Sequence, residues 1–185
     1  MRLPLPSSLP MAFCLVLAAC AQTRVTDHAV SPASLPVDAE RLGRTLLVVE
    51  PALPGDDQDR DSHAAEATQV IRESLAVLPG RTGPSGSDES LLALARSSGL
   101  DSVLIIRVEE YARRGNLYVA LAVPPVSWDT KTTVSLRLRA LDARTGEVIA
   151  DLRRDRVRGG LYTDRTAGDL PDELRETLRS LLAKG

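Results

Sequence analysis

Apolar and polar positions between residues 44 and 185 fall into a few repeating patterns. Thr45-Leu-Leu-Val-Val-Glu50 and Ser102-Val-Leu-Ile-Ile-Arg-Val-Glu109 are runs of consecutive apolar residues, as in central strands covered on both faces. Arg113-Arg-Gly-Asn116 reads as a turn, and Asn116 to Val123 as a third strand. From Thr132 to Leu141 the alternation is strict: Val134, Leu136, Leu138 and Ala140 point one way, Thr133, Ser135, Arg137 and Arg139 the other. That pattern predicts a half-solvated strand. Asp142-Ala-Arg-Thr-Gly-Glu147 predicts a hairpin loop with Gly146 where positive φ is needed, followed by a strand over 148–157. Its Arg153, Arg154, Asp155 and Arg156 suit an edge that must not pair with other chains.

Helical spacing joins Ala67, Val70, Ile71, Leu75 and Leu78, predicting a helix over 62–77. Ser87 can N-cap a second helix, with Asp88 and Glu89 in its first turn and Leu91, Leu94, Ala95 and Ser98 on one face. Gly99 then stops it and Leu100 folds back. Pro171 opens a closing helix whose Leu174, Leu178, Leu181 and Leu182 share a face. The Gly-rich stretch 79–87 lacks the Gly-Lys-Ser/Thr end of a phosphate loop and reads as a loop with a weak strand. The elements predict an α/β (α+β) domain, a mixed sheet of about five strands with three helices, in the order β-α-(weak β)-α-β-β-β-β-α.

The amino terminus follows another logic. Met11 to Ala19 is a run of nine apolar residues, far short of the ~20 needed to cross a bilayer, and it matches a secretory targeting segment. Leu17-Ala18-Ala19-Cys20 resembles the lipobox of bacterial lipoproteins. The resemblance implies cleavage after Ala19 and acylation of Cys20, with palmitate-type chains; Ala21, where an Asp favours inner-membrane retention, implies the periplasmic face of the outer membrane. Two or more acyl chains give stable anchoring where one is marginal. Residues 1–19 are then the signal peptide, 20–43 the acylated terminus and a flexible tether with Pro32 and Pro36, and 44–185 one domain. Cys14 leaves with the signal, so the mature chain has neither a free thiol nor a disulfide.

Composition narrows the chemistry. The formal net charge is −2 and aromatic residues are 3% of the chain, so there is neither a polybasic footprint for nucleic acid nor a platform for base stacking. Of the two histidines, His28 falls in the tether and His63 opens a surface helix as a solvated side chain; no Gly-x-Ser-x-Gly elbow accompanies them. Glu109 and Glu110, adjacent on a strand, are expected on opposite faces, unable to act as a carboxylate pair. Asp56, Asp57, Asp59 and Asp61 lack the Gly and Glu of a calcium loop. No catalytic residue, metal site or cofactor is expected, and the chain is read as not an enzyme.

The helix–Gly–Asp–strand junction ending in Leu94-Ala-Arg-Ser-Ser-Gly-Leu-Asp101 and the hairpin Leu141-Asp-Ala-Arg-Thr-Gly-Glu-Val148 resemble the small α/β domain shared by the TolB amino-terminal domain, CsgG, PelC and LpoB. The resemblance covers about residues 44–184, with an unusual insert at Val123-Pro-Pro-Val-Ser-Trp128. It implies a lipid-anchored, non-catalytic accessory of an envelope secretion, polysaccharide-export or cell-wall machine, partnered by envelope proteins or by further copies of itself. A monomeric periplasmic ligand-binding lipoprotein is the alternative. Leu117 to Trp128 carries no charge in a chain that is 26% charged. Pro124 and Pro125 cannot continue a ladder, so Tyr118, Val126 and Trp128 are candidates for a protein or membrane contact, with Trp128 capping the domain's own core as the other reading.

Overall fold

The two continuous apolar runs form the middle of the sheet. The computed structural model describes residues 22–29, 37–53, 60–119, 126–161 and 169–183, of which 22–29, 39, 115–119, 126–130, 159–161 and 183 by backbone alone. Along the chain these are β1 (Gln22–Ala29), β2 (Val37–Asp38), α1 (Ala39–Leu42), β3 (Thr45–Pro51), α2 (Arg60–Ser74), β4 (Gly80–Thr82), α3 (Asp88–Ser97), β5 (Ser102–Val119), β6 (Val126–Asp142), β7 (Val148–Leu161), α4 (Leu170–Leu181) and β8 (Leu182–Ala183). The main sheet has the order β1-β7-β6-β5-β3-β4, and β2 pairs with β8 in a small second sheet. β4 and β5 lie parallel to β3, while β6, β7 and β1 are added antiparallel, so the predicted mixed α/β architecture holds.

Consecutive apolar residues serve both faces of this sheet. Leu104, Ile106 and Val108 of β5 join Leu136, Leu138 and Ala140 of β6 beneath Ala67, Val70 and Ile71 of α2 and Leu174, Leu178 and Leu181 of α4. Val103 and Ile105 turn the other way, to Leu46, Val48, Leu91 and Ala95 under α3. Ser87 caps α3 as expected. Its far end closes in a Schellman motif: Gly99, at φ +64, donates its N–H to Arg96 O at 3.1 Å, and Leu100 donates to Ala95 O at 3.0 Å. Gly146 sits at φ +81 in the β6–β7 loop.

Several expectations are corrected. Residues 22–29, read as tether, form β1 against β7 from Gln22↔Gly159 to Ala29↔Leu152, and Val37 and Leu42, also in that stretch, are buried. Pairing supplied by a distant strand makes these segments ordered, and no local period announces it. β7 is therefore interior and β1 takes the edge, so the charges of β7 guard no edge. No turn occurs at 113–116: β5 runs on without a break, paired from Arg113↔Thr132 to Val119↔Val126, because Gly115 and Asn116 accept an extended backbone when β6 completes their hydrogen bonds. The expected third strand is the outer arm of β5, and the expected strand 132–141 lengthens to begin at Val126. Pro124 and Pro125, Cys20 and Asp56, Asp57 and Asp59 lie outside the described residues.

Candidate functional site

α3 covers only the lower part of its face of the sheet, and above it the strands present charge. Arg107, Arg137 and Arg153 stand side by side across β5, β6 and β7. Like charges directly opposite repel, and an offset carboxylate answers each one. Glu50 Oε2 accepts from Arg107 Nη2 at 2.7 Å. Asp151 takes both arms of Arg137, at 2.9 and 2.8 Å. Arg153 reaches Glu109 and Asp155, each at 3.2 Å, and the Ser135 hydroxyl donates to Asp155. Arg139 binds Asp88 at the start of α3, linking this lattice to the covered part of the face. The hydrogen bond to Asp151 holds the Arg137 pKa above its ordinary value. Each guanidinium has five donors and spends only some of them here, so the face can form further polar contacts.

The opposite face buries one carboxylate. Glu173 of α4 is 3% exposed and accepts from Arg156 Nε at 2.5 Å and Arg158 Nη1 at 2.7 Å, which binds α4 to β7. Burial opposes the Glu173 charge, but the hydrogen bonds from Arg158 and Arg156 more than offset it and hold the carboxyl below its usual range. Tyr111, 2% exposed, donates its hydroxyl to Glu66 at 2.7 Å; burial first, then that bond, pushes its pKa well up. His63, expected to be solvated, is half-buried and meets the Tyr111 ring edge-on at 5.9 Å. The cause is that α2 lies across β5, which periodicity within α2 does not reveal.

Glu109 and Glu110 also depart from expectation. A bulge between Val108 and Glu110 adds one residue to β5, and such an insertion breaks the alternation of sides. Glu109 pairs with Arg153 and Glu110 is registered opposite Ser135; both partners belong to the open face. The pair is tied up by arginines, Glu110 with Arg114 at 3.6 Å. Among the described residues no three His, Cys, Asp or Glu side chains could hold a metal ion, and no helix is long and apolar enough to cross a membrane.

Of the candidate contact residues, Tyr118 lies on the outer arm of β5, registered with Ser127, and Val126 and Trp128 lie on β6, registered with Val119 and Leu117. The register thus draws the three to one end of the sheet. It is also the end at which β1 begins: Gln22 is level with Gly159, Gly159 with Lys131, and Lys131 with Arg114. Beyond that level the β5–β6 arms continue by the pairs from Gly115↔Thr130 to Val119↔Val126, roughly 16 Å at ~3.3 Å per residue.

No protein-family model matches the chain, and no curated protein does. Among solved structures it is similar to the PelC dodecamer of Paraburkholderia phytofirmans, at 18% identity and TM-score 0.50, over 89% of this chain and 100% of that one. The likeness is one of fold. Lipoprotein GNA1162 of Neisseria meningitidis is matched at 21% identity and TM-score 0.42, over 74% of this chain and 95% of that one. The PelC match spans nearly the whole chain, and it agrees with the small α/β domain to which the helix–Gly–Asp–strand junction and the 142–147 hairpin point.

Sequence reasoning missed the Glu173–Arg156–Arg158 cluster and the row of three arginines. A signal for the second was present, since Arg137 and Arg139 on one strand and Asp151, Arg153 and Asp155 on the next alternate in step, as a hairpin around 142–147 requires. The first had none, because it depends on where α4 docks.

Proposed function

We propose that this chain is a lipid-anchored, non-catalytic accessory of an envelope secretion, polysaccharide-export or cell-wall machine, standing on the periplasmic face of the outer membrane and working by contact, first of all between copies of itself. The observation that carries the reading is the register of β1. Gln22, two residues after Cys20, pairs with Gly159 at the end of the sheet where the uncharged arms 117–119 and 126–128 project. An acyl group on Cys20 then holds that end, with Tyr118, Val126 and Trp128, against the bilayer, while the ion-paired face stays free for a neighbour. The similarity in fold to a protein that forms a dodecamer supports assembly of copies.

Two measurements test it. Cys20→Ala should release the protein from membranes in a high-salt wash with its fold unchanged; retention would remove acylation from the account. The chain from Ala21 onward, which keeps β1, should show a stable oligomer by mass in solution. A strict monomer would favour the ligand-binding alternative.

A further inference from the structure

We infer that the free edge of β4, with Arg44 and Arg81, accepts an extended acidic peptide as an added strand. β4 is the last strand of the sheet, and all three of its residues are exposed. Thr45 donates its N–H to Pro79 O at 2.7 Å and Gly83 donates to Leu47 O at 2.8 Å, with Arg81 registered on Leu46 between them. In that parallel ladder Arg81 turns its N–H and C=O toward β3. Gly80 and Thr82 therefore turn theirs outward, two donors and two acceptors at the two-residue repeat of a strand, with no partner strand among the described residues.

Beside this edge lies a cleft of about 360 Å³ lined by Arg44, Gly80, Arg81, Ser97, Ser98 and Leu100. Arginines at a helix C-terminus often serve its unpaired carbonyls, but α3 closes its own end. Leu94 O accepts from the Ser98 N–H and from the hydroxyls of Ser97 and Ser98; Ala95 O accepts from Leu100 and Arg96 O from Gly99. Asp101 spends Oδ2 on the backbone N–H of Arg44 at 2.8 Å. Neither the Arg44 nor the Arg81 guanidinium has a partner among the described residues.

Arg81 shares a side of the sheet with Leu46, which packs under α3. A strand added to β4 sends every second side chain to that side, over the cleft. Acidic residues there meet two free guanidinium groups, while the backbone supplies the affinity common to strand addition. The same charge turns away basic strands, so the edge is selective as well as open.

The test uses the full chain in detergent and a fluorescent peptide of about six residues alternating Glu and Val, long enough to span β4. Saturable binding is expected, weakened about tenfold by Arg44→Gln with Arg81→Gln and lost when Lys replaces Glu. A peptide N-methylated on the edge that would face β4 should not bind, and this arm leaves the protein unaltered. The inference is overturned if no peptide binds, if the double variant or the N-methylated peptide binds as well as its parent, or if oligogalacturonate binds at the arginines and the peptide does not.

Discussion

The two faces of the sheet use the same ion-pair chemistry for different ends. Under α2 and α4, the Glu173 side chain is nearly sealed from water beside the leucines of α4 and joins Arg156 and Arg158, whose side chains keep 17% and 35% of their surface exposed. On the other face, Arg107, Arg137 and Arg153 keep 49%, 37% and 45% of their side-chain surface exposed while pairing with carboxylates. A buried pair is costly to break, because the remaining charge cannot recover its water. An exposed pair contributes little and is readily exchanged for another partner. The covered face therefore holds the fold, and the open face is available for contacts that come and go.

Glu173→Ala should show this difference most strongly, with a loss of about 1.5–3 kcal/mol in urea unfolding, because it removes the carboxylate that accepts from both Arg156 and Arg158. A loss below ~1 kcal/mol, the range of exposed pairs, would erase the distinction between the faces. The pH dependence sharpens it. The Glu173 carboxyl is held below its ordinary value of 4.5, so its stabilisation is complete above that pH and is lost as pH falls through the lower folded value. The gap between wild type and Glu173→Gln should stay level from neutral pH to about 5 and close at more acid pH; a gap that closes between pH 7 and 5 would contradict the direction of the shift.

Smaller effects follow. Gly146→Val places a branched side chain at φ +81 and should cost about 1–2 kcal/mol, seen as an earlier melt; an unchanged midpoint would mean that the loop relaxes freely. At the low end, Arg137→Gln on the open face should change stability by less than ~1 kcal/mol. If the face is used for assembly, the same variant should weaken the oligomer in a mass measurement. A large stability loss with the oligomer intact would make this face structural like its opposite.

Much of the fold was legible because it obeys local periods. The alternation of β6 is readable since Val134, Leu136, Leu138 and Ala140 face one buried layer, and the end of α3 is readable since only Gly99 takes the turn without strain. The charged run of β7 misled, because an edge strand and a strand that sends arginines to a helix carry the same residues. Arg113-Arg-Gly-Asn116 misled in the same way, turn formers in composition but strand in fact once β6 pairs with them. Of the candidate site, the motif at Cys20 and the uncharged arms were visible as sequence.

The sequence by itself determined the α/β class, the central strands, the caps of α3 and the 142–147 hairpin, since each depends on side-chain volume, φ preference or spacing within a few neighbouring residues. Only the tertiary structure decided that β1 covers β7, that a bulge turns Glu109 out of alternation, that Glu173 closes on Arg156 and Arg158, and that Arg44 and Arg81 flank one cleft. These depend on backbone hydrogen bonds and charges from segments far apart in the chain, which come within a few ångströms only when the sheet has formed.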